Sequence, residues 1–359
     1  MAKVRKTMGV TVGALVLLAA FLLFLTYASM VVNPAKAWYM TVLGLLFVPV
    51  VLLNLILLVW AVKCKSRAFL IPLLSLLPAL VFIGRYFQFS DGGAERTPET
   101  IKIVSYNVGR FQLGQKPEFK EPYGRKACLD SVTNFLEKTD ADIICLQEMD
   151  LDGEYDAARF FKERFPGYYA GYFMYVTDGG SYGNVTLSRF PIAGKGRLQF
   201  DKSSNLAIYT DVKVKEGATL RVYNCHFESY NISLARLVKS WRRDSTIVRV
   251  TEEKFKRSIS RRPLQVNQVL SDIEECPLEA IVAGDFNDNP MSYTYYRLMK
   301  GRRDTFVKAG KGFGATYSGL WPLIRIDYVL YPKHFEAVSH RTPRLGCSDH
   351  YPIVTEINL

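Results

Sequence analysis

Ala280-Ile281-Val282-Ala283-Gly284-Asp285-Phe286-Asn287-Asp288-Asn289-Pro290 is the stretch that decides the fold. Ala280 to Ala283 are small or β-branched and suit a strand covered on both faces. Gly284 permits a close backbone approach, and Asn289-Pro290 ends regular structure. Asp285 and Asn287 stand two apart at the strand's carboxyl end, so their side chains point the same way. A carboxylate and a carboxamide held on a rigid strand end can aim a water molecule and a phosphate oxygen. The competing reading is an Asx-type turn, in which both side chains bond only their own backbone. The rest of the chain decides between the two.

Charge is unevenly distributed along the 359 residues. Residues 1–90 carry eight basic side chains (Lys3, Arg5, Lys6, Lys36, Lys63, Lys65, Arg67, Arg85) and no acidic one, leaving 38 basic against 34 acidic residues, a net of +4 of the total +12. The high isoelectric point therefore belongs mostly to the N-terminal third and is no argument for nucleic-acid binding. Six cysteines occur without any Cys-x-x-Cys pair, so neither a disulfide framework nor a zinc site is indicated.

Met8 to Val32, Ala37 to Val62 and Ala68 to Gly84 are apolar runs, and a span needs about 20 such residues. The expectation is a membrane domain over 1–90 with three transmembrane helices. A cleaved signal peptide is the rival for the first run, but that run is too long and is followed by further spans. Lys3, Arg5, Lys6, Lys63, Lys65 and Arg67 fall on one side and only Lys36 and Arg85 on the other. The positive-inside bias then puts the N-terminus in the cytoplasm. Everything after the third span is expected outside it, in a bacterium on the periplasmic face of the inner membrane. Residues 91–100, polar with Gly92-Gly93 and Pro98, read as a linker.

The remainder, 101–359, reads as many strands with a few helices. Strands are expected at 101–107, 142–148, 168–176, 182–187, 280–283 and 325–331, and a last one at the end of the chain. Residues 206–214 and 219–227 read as an antiparallel pair around Lys215-Glu216-Gly217. Helical spacing occurs at 126–138 and 160–165 and in a charged stretch running to about residue 275. No strict βαβ alternation is visible, so two packed sheets flanked by helices fit best.

Polar residues recur at these strand ends: Asn107, Glu148, His226, Asp285, Asn287, Asp327, Asp349 and His350. Any one has a plain structural explanation, but two of only four histidines fall among them. Ser105-Tyr106-Asn107-Val108, Leu146-Gln147-Glu148, Asn224-Cys225-His226, Gly284-Asp285-Phe286-Asn287, Arg325-Ile326-Asp327-Tyr328 and Ser348-Asp349-His350 follow one another in order. In this the chain resembles the endonuclease/exonuclease/phosphatase superfamily, the deoxyribonuclease-I-like metal-dependent phosphoesterases. The resemblance implies an α/β (α+β) four-layer sandwich, with two central mostly antiparallel β-sheets flanked by helices and the site at one rim.

It also implies roles. Glu148, helped by Asn107, resembles the Mg²⁺ position, with Mn²⁺ as the alternative ion; Asp349 is a second ligand or an orienter. A hard divalent ion favours such oxygen donors. His350 resembles the general base or phosphate contact, with Asp327 orienting its ring. Asp285 would align the attacking water, Asn287 would hold a phosphate oxygen, and His226 would donate to a nonbridging oxygen. Asn184, in Tyr182-Gly183-Asn184, resembles a further substrate contact.

One insertion, 229–262, stands out. From Arg236 to Arg262 it holds ten basic residues against Asp244, Glu252 and Glu253. It is either a solvated helical face or an attractor of nucleic-acid phosphates or anionic lipid headgroups. The expected activity is hydrolysis of a phosphate ester by a membrane-embedded enzyme, nuclease-like, with a phospholipid as the alternative substrate. The alternative of another class is a non-catalytic membrane scaffold.

Overall fold

The computed structural model describes residues 2–89, 92–111, 124–153, 156–177, 180–215, 217–230, 245–319, 322 and 324–359. It forms two compact units. The first gathers Met1–Tyr86, Tyr230–Pro263 and Asn289–Arg297; the second gathers Phe87–Ser229, Leu264–Asp288 and Leu298–Leu359. This departs from the sequence division into 1–90 and 101–359, because two later segments pack among the N-terminal helices.

The first unit is helical: α1 (Ala2–Ala28), α2 (Tyr39–Leu45), α3 (Phe47–Lys63), α4 (Leu70–Leu76) and α5 (Ala79–Phe82). Leu23, Met30, Phe47, Val50, Val51, Leu76, Ala79 and Met291 form its core. Asn54, fully buried in α3, donates to the carbonyls of Ala19 and Val50, the interhelical bond expected of a polar residue in an apolar helix.

Three uninterrupted spans are not what the structure contains. Among the described residues only Arg67–Arg85 is long and apolar enough to cross a membrane. Tyr39–Leu45 and Phe47–Lys63 qualify only together, across a 59° bend, and the described apolar part of α1, Gly13–Ala28, is shorter. Pro49 explains the bend: its ring crowds the carbonyl four residues back, and Pro is tolerated only in a helix's first turn. In the third run Pro78 stands between α4 and α5, and the run as a whole still qualifies as a span.

The second unit contains two six-stranded sheets. In chain order the strands are β1 (Thr100–Asn107), β2 (Ile143–Asp152), β3 (Tyr169–Thr177), β4 (Gly180–Ser188), β5 (Ile192–Gln199), β6 (Leu206–Lys215), β7 (Ala218–His226), β8 (Glu279–Asp285), β9 (Arg302–Asp304), β10 (Asp327–Pro332), β11 (Glu336–Arg341) and β12 (Ile353–Asn358). One sheet runs β11-β12-β1-β2-β4-β3 and the other β9-β10-β8-β7-β6-β5. Each has a single parallel pair, β1 with β2 and β7 with β8; all other pairs are antiparallel. Both parallel pairs need a crossover. Helix α6 (Arg125–Thr139) lies in the first and α8 (Ser245–Glu275) in the second. These are the two βαβ units that the sequence pattern did not disclose.

Between the sheets lie Ile101, Ile103, Ile143, Cys145, Ile353 and Ile357 from one face and Val212, Leu220, Val222, Ile281, Ala283 and Val329 from the other. Each fully buried aliphatic side chain there contributes about 1.5–3 kcal/mol. Beyond the first sheet, Cys128, Val132 and Leu136 of α6 and Phe160 and Phe161 of α7 (Ala157–Arg164) pack on Val104, Tyr106, Ile144 and Leu146. Val266, Val269 and Leu270 are buried on the carboxyl half of α8. Pro263 lies inside this helix, where it removes one backbone bond, and the unit boundary falls there.

Of the basic insertion, 231–244 lies outside the described residues. In the first unit, Phe255 packs edge-on against Trp38, and Lys256 sits 4.9 Å above that ring. The expected linker is attached in its second half. Ala94 N donates to Ala337 O, Asn358 donates to Glu95 O, and Arg96 pairs with Glu356.

Candidate active site

The parallel pairs explain where the site lies. β1 and β2 bring Asn107 and Glu148 to the carboxyl end of one sheet. β7 and β8 bring His226 and Asp285 to the carboxyl end of the other, directly paired. Asp327 opens β10 opposite Asp285. Gly284 has φ +129°, and a Cβ there would meet Cys225 O at 2.0 Å. The close approach anticipated for this glycine is to its neighbouring strand.

These end residues meet. The Asn107 amide donates to Asp285 Oδ2 at 2.9 Å and to Glu148 Oε1 at 3.2 Å, joining the two sheets. Asp285 Oδ1 accepts from Asn287 N at 2.8 Å, and Oδ2 accepts from the Asn287 amide at 3.1 Å. The Asx turn weighed as the competing reading is therefore present, and it serves to fix the carboxylate. Asn287 and Glu148 both have positive φ, 51° and 52°. Such backbone costs about 1–3 kcal/mol and persists only where its surroundings enforce it. For Glu148 the register shift between Leu146 and Met149 in the β2–β4 pairing supplies the constraint.

His350 donates through Nδ1 to Asp327, 2.9 Å from Oδ2, and its Nε2 lies 3.7 Å from Asp285 Oδ2. Ser348 Oγ accepts from His350 N and donates to Asn107 O, tying the last motif to the first. His226 Nε2 lies 3.4 Å from Glu148 Oε1 and 3.8 Å from Asp285 Oδ2. The Asp349 carboxyl sits beside Gly109, where an added Cβ would lie 3.3 Å from its Oδ1.

Electrostatics follow from burial. Burial alone would lower His350; the carboxylates of Asp327, Asp285 and Asp349 and the Asp327 hydrogen bond reverse this and hold the ring well above its ordinary value. Burial pushes the Asp285 carboxyl up. His350 and His226 pull it down, Asp327 pushes it further up, and it remains above the usual carboxylate range.

The three asparagines divide from the two imidazoles. Each Asn107 amide hydrogen meets a carboxylate. Asn287 gives its amide to Asp285 and to Phe227 O. Asn184 gives its amide to the carbonyls of Leu206 and Asn224. A carboxamide has only two N–H donors, so Asn287 and Asn184 hold the framework where substrate contacts were expected. The donors aimed into the site are His226 and His350.

A divalent ion suits this donor set. Four carboxylates (Glu148, Asp285, Asp327, Asp349) surround two imidazoles, and hard cations take oxygen ligands. Asp285, Asp327 and His350 place ligand atoms within 4.8 Å of one another, but an imidazolium donates and does not ligate. Glu148, whose side chain is 28 % exposed against 1 % for Asp285, is the better anchor. Asn107 Oδ1 accepts from Gly109 N, so Asn107 positions that carboxylate; ligation would require its amide to turn over.

Sequence reasoning missed Thr316, Tyr317 and the buried pair Gln147–Asn224. Thr316 Oγ1 accepts from the N–H groups of Ile326 and Asp327, setting the start of β10. Tyr317 packs edge-on against His350, ring centroids 5.3 Å apart. Gln147 donates to Asn224 Oδ1 at 2.7 Å across the sheets. Gln147 and Asn224 stood in the quoted motifs beside Glu148 and His226; Thr316 and Tyr317 carry no local signal.

The profile of the Endonuclease/Exonuclease/phosphatase family matches residues 104–350. The chain belongs to this family. A second profile, a domain of unknown function (DUF8431), matches residues 10–86. Among solved structures, the human Nocturnin catalytic domain with bound sulfate anion is similar at 17 % identity, TM-score 0.53, over 74 % of this chain and 95 % of that one. An endonuclease/exonuclease/phosphatase from Beutenbergia cavernae is similar at 17 % identity, TM-score 0.51, over 73 % and 72 %. A family protein from Leptotrichia buccalis is similar at 17 % identity, TM-score 0.50, over 72 % and 100 %. At such identities the likeness is one of fold. No curated protein matches. Members of the family are typically phosphoester hydrolases and generally depend on a divalent metal.

Proposed function

We propose that this chain is a membrane-anchored, Mg²⁺-dependent phosphoesterase that cleaves phosphodiester or phosphomonoester bonds, nuclease-like in its site. The observation that carries the reading is the Asp327–His350–Asp285 series, with Asn107 linking Asp285 to Glu148. Glu148, with Asp349 and a turned Asn107, would hold the ion, with Mn²⁺ as the alternative. When bound, the ion polarises the phosphoryl group and offsets charge on the leaving oxygen.

The chain's own residues do the rest. Asp285 aligns the attacking water and accepts its proton, and its raised affinity for a proton makes it a better base than a solvated aspartate. His350, charged and oriented by Asp327, donates through Nε2 to the phosphoryl oxygen. His226 donates to a nonbridging oxygen, where charge develops.

Membrane attachment is supported by exposed apolar side chains on the first unit, among them Phe21, Phe24, Ile56, Leu74, Leu80 and Val81. Patches of that extent mark a membrane or partner surface. With six of eight early basic residues on one side, we place the N-terminus in the cytoplasm of a bacterial cell and the catalytic unit outside the inner membrane. The same apolar surface favours a second reading, in which the substrate is a phospholipid. A membrane scaffold without activity is disfavoured because every expected acid and imidazole is retained.

The test is turnover of the full chain in nanodiscs on single-stranded DNA, RNA, phospholipid and small phosphate esters, with Mg²⁺ and with EDTA. Metal-dependent release from at least one substrate is expected. Activity that survives chelation contradicts the metal mechanism, and none on any substrate favours the scaffold.

A further inference from the structure

An aromatic row runs along the rim of the first sheet beside Glu148, wholly within the second unit. Phe173 and Tyr175 stand two apart on β3, so their rings share a face. Across β3 and β4, Phe173 pairs with Asn184 and Tyr175 with Tyr182. The Asn184 amide reaches the carbonyls of Leu206 and Asn224 in the second sheet, so this face is the one turned toward that sheet. Tyr175 and Tyr182 stack, ring centroids 5.6 Å apart at 29°, and Phe173 meets Tyr175 edge-on at 5.0 Å. A guanidinium stands over each end of the row. That of Arg110 lies 5.1 Å from the Tyr182 centroid, and that of Arg197, on β5, lies 3.9 Å from the Phe173 centroid. The row adjoins the proposed ion site. Tyr182 pairs with Asp150, two residues beyond Glu148, and Asp150 accepts from Arg110 Nε at 2.7 Å.

Core packing does not account for this row. Tyr106, Tyr223 and Tyr328, which fill the interior, are fully buried, whereas Phe173, Tyr175 and Tyr182 stay half-buried. The Tyr175 hydroxyl is screened from solvent yet meets no hydrogen-bond partner among the described residues, and such an orphan calls for an explanation. Arg110 is 46 % exposed. Arg197 is exposed and has no carboxylate partner among the described residues. Aromatic faces set between guanidinium groups take successive bases of a single strand, while its backbone follows the cations. An acyl chain gains nothing from a charge at each end of its groove, so the row favours nucleic acid over phospholipid. We infer that Arg110, Tyr182, Tyr175, Phe173 and Arg197 form a track that stacks the unpaired bases of a single-stranded nucleic acid and leads its phosphodiester to Glu148. This rests on the phosphoesterase reading and narrows its substrate class.

Binding measured without turnover separates the two. The full chain in nanodiscs is titrated in EDTA with a fluorescein-labelled single-stranded DNA and with an abasic strand of the same length. Wild type, Tyr175→Leu, Tyr175→Phe and Arg197→Gln are compared. Wild type is expected to bind the base-bearing strand roughly five- to a hundredfold more tightly than the abasic one. Tyr175→Leu should lose most of that ratio. Tyr175→Phe should keep it within about twofold, because the ring is what the base meets. Arg197→Gln should weaken binding of both strands and flatten its salt dependence. With Mg²⁺ present, kcat/KM on DNA should fall in Tyr175→Leu and recover in Tyr175→Phe. No binding by wild type, equal affinity for the two strands, or a Tyr175→Leu variant that discriminates as wild type does overturns the inference. Turnover of phospholipid with none of DNA also overturns it, and leaves the phosphoesterase reading standing. Base-dependent binding without Mg²⁺-dependent turnover of any ester sinks that reading and retains the track. If Tyr175→Leu fails to fold, the wild-type ratio and the exposed Arg197 decide.

Discussion

Two histidines of the second unit are almost equally buried, His340 on β11 and His350 before β12, at 8 % and 6 % exposure. Their charges differ. His340 receives one neutral partner, the Thr305 hydroxyl 2.8 Å from Nδ1, and packs edge-on against Phe306. Burial pushes it down to about 4; Asp304 opposes this and Arg325 adds to it. Asp304 is itself engaged by Arg325 at 2.6 Å, so little of its charge is left for the ring. At His350 the nearest carboxylate, Asp327, hydrogen-bonds the ring, those of Asp285 and Asp349 add to it, and the direction reverses. Burial sets the default for a histidine, and the neighbouring carboxylates decide whether the ring departs from it.

The most damaging way to break this contrast is Asp327→Asn. It keeps shape and removes the charge that separates the two rings. His350 should fall toward the behaviour of His340, and turnover should drop by roughly 10²–10⁴-fold. Imidazole nitrogen chemical shifts against pH check the first part and steady-state kinetics the second. An unmoved His350 resonance would mean that Asp327 does not govern the ring.

A smaller effect tests the other histidine. His340 has a folded value below its unfolded one, so below about pH 6.5 the unfolded chain binds the extra proton. Its contribution is fully present above that pH and is lost as pH falls toward about 4. The loss is roughly 3 kcal/mol in all. Denaturant melts at pH 7 and pH 4.5 should therefore diverge more for wild type than for His340→Phe; equal divergence contradicts the assignment. The smallest effect expected is that of Thr305→Val, which strips His340 Nδ1 of its partner and should cost about 1–3 kcal/mol without touching kcat.

The same contrast marks how far the sequence could be read. The Asp285–Asn287 turn, the strand ends and His350 were legible because chemistry-bearing residues close apolar runs at Asp285, Glu148 and His226. His340 was not, since nothing in Ser339-His340-Arg341 tells a buried ring from a surface one. The edge strands β5 and β11 also escaped notice. β5 alternates half-buried and exposed residues through Gly194, Lys195, Gly196 and Arg197, a composition that reads as loop. The parallel pairing of β1 with β2 and of β7 with β8 was hidden because the long crossovers carry α6 and α8 among irregular segments. The helical unit was found as apolar runs, yet its claim on Asn289–Arg297 was invisible, because Met291 and Pro290 look like any turn exit.

The contrast matters only if the site around His350 acts on phosphate esters. The most direct measurement is Mg²⁺-dependent release of phosphate or phosphodiester product by the full chain in nanodiscs, wild type beside Glu148→Gln. The account predicts turnover that EDTA abolishes and Mg²⁺ restores, and a Glu148→Gln enzyme slower by at least roughly 10²–10³-fold. Turnover indifferent to chelation, or a Glu148→Gln variant as fast as wild type, would contradict it.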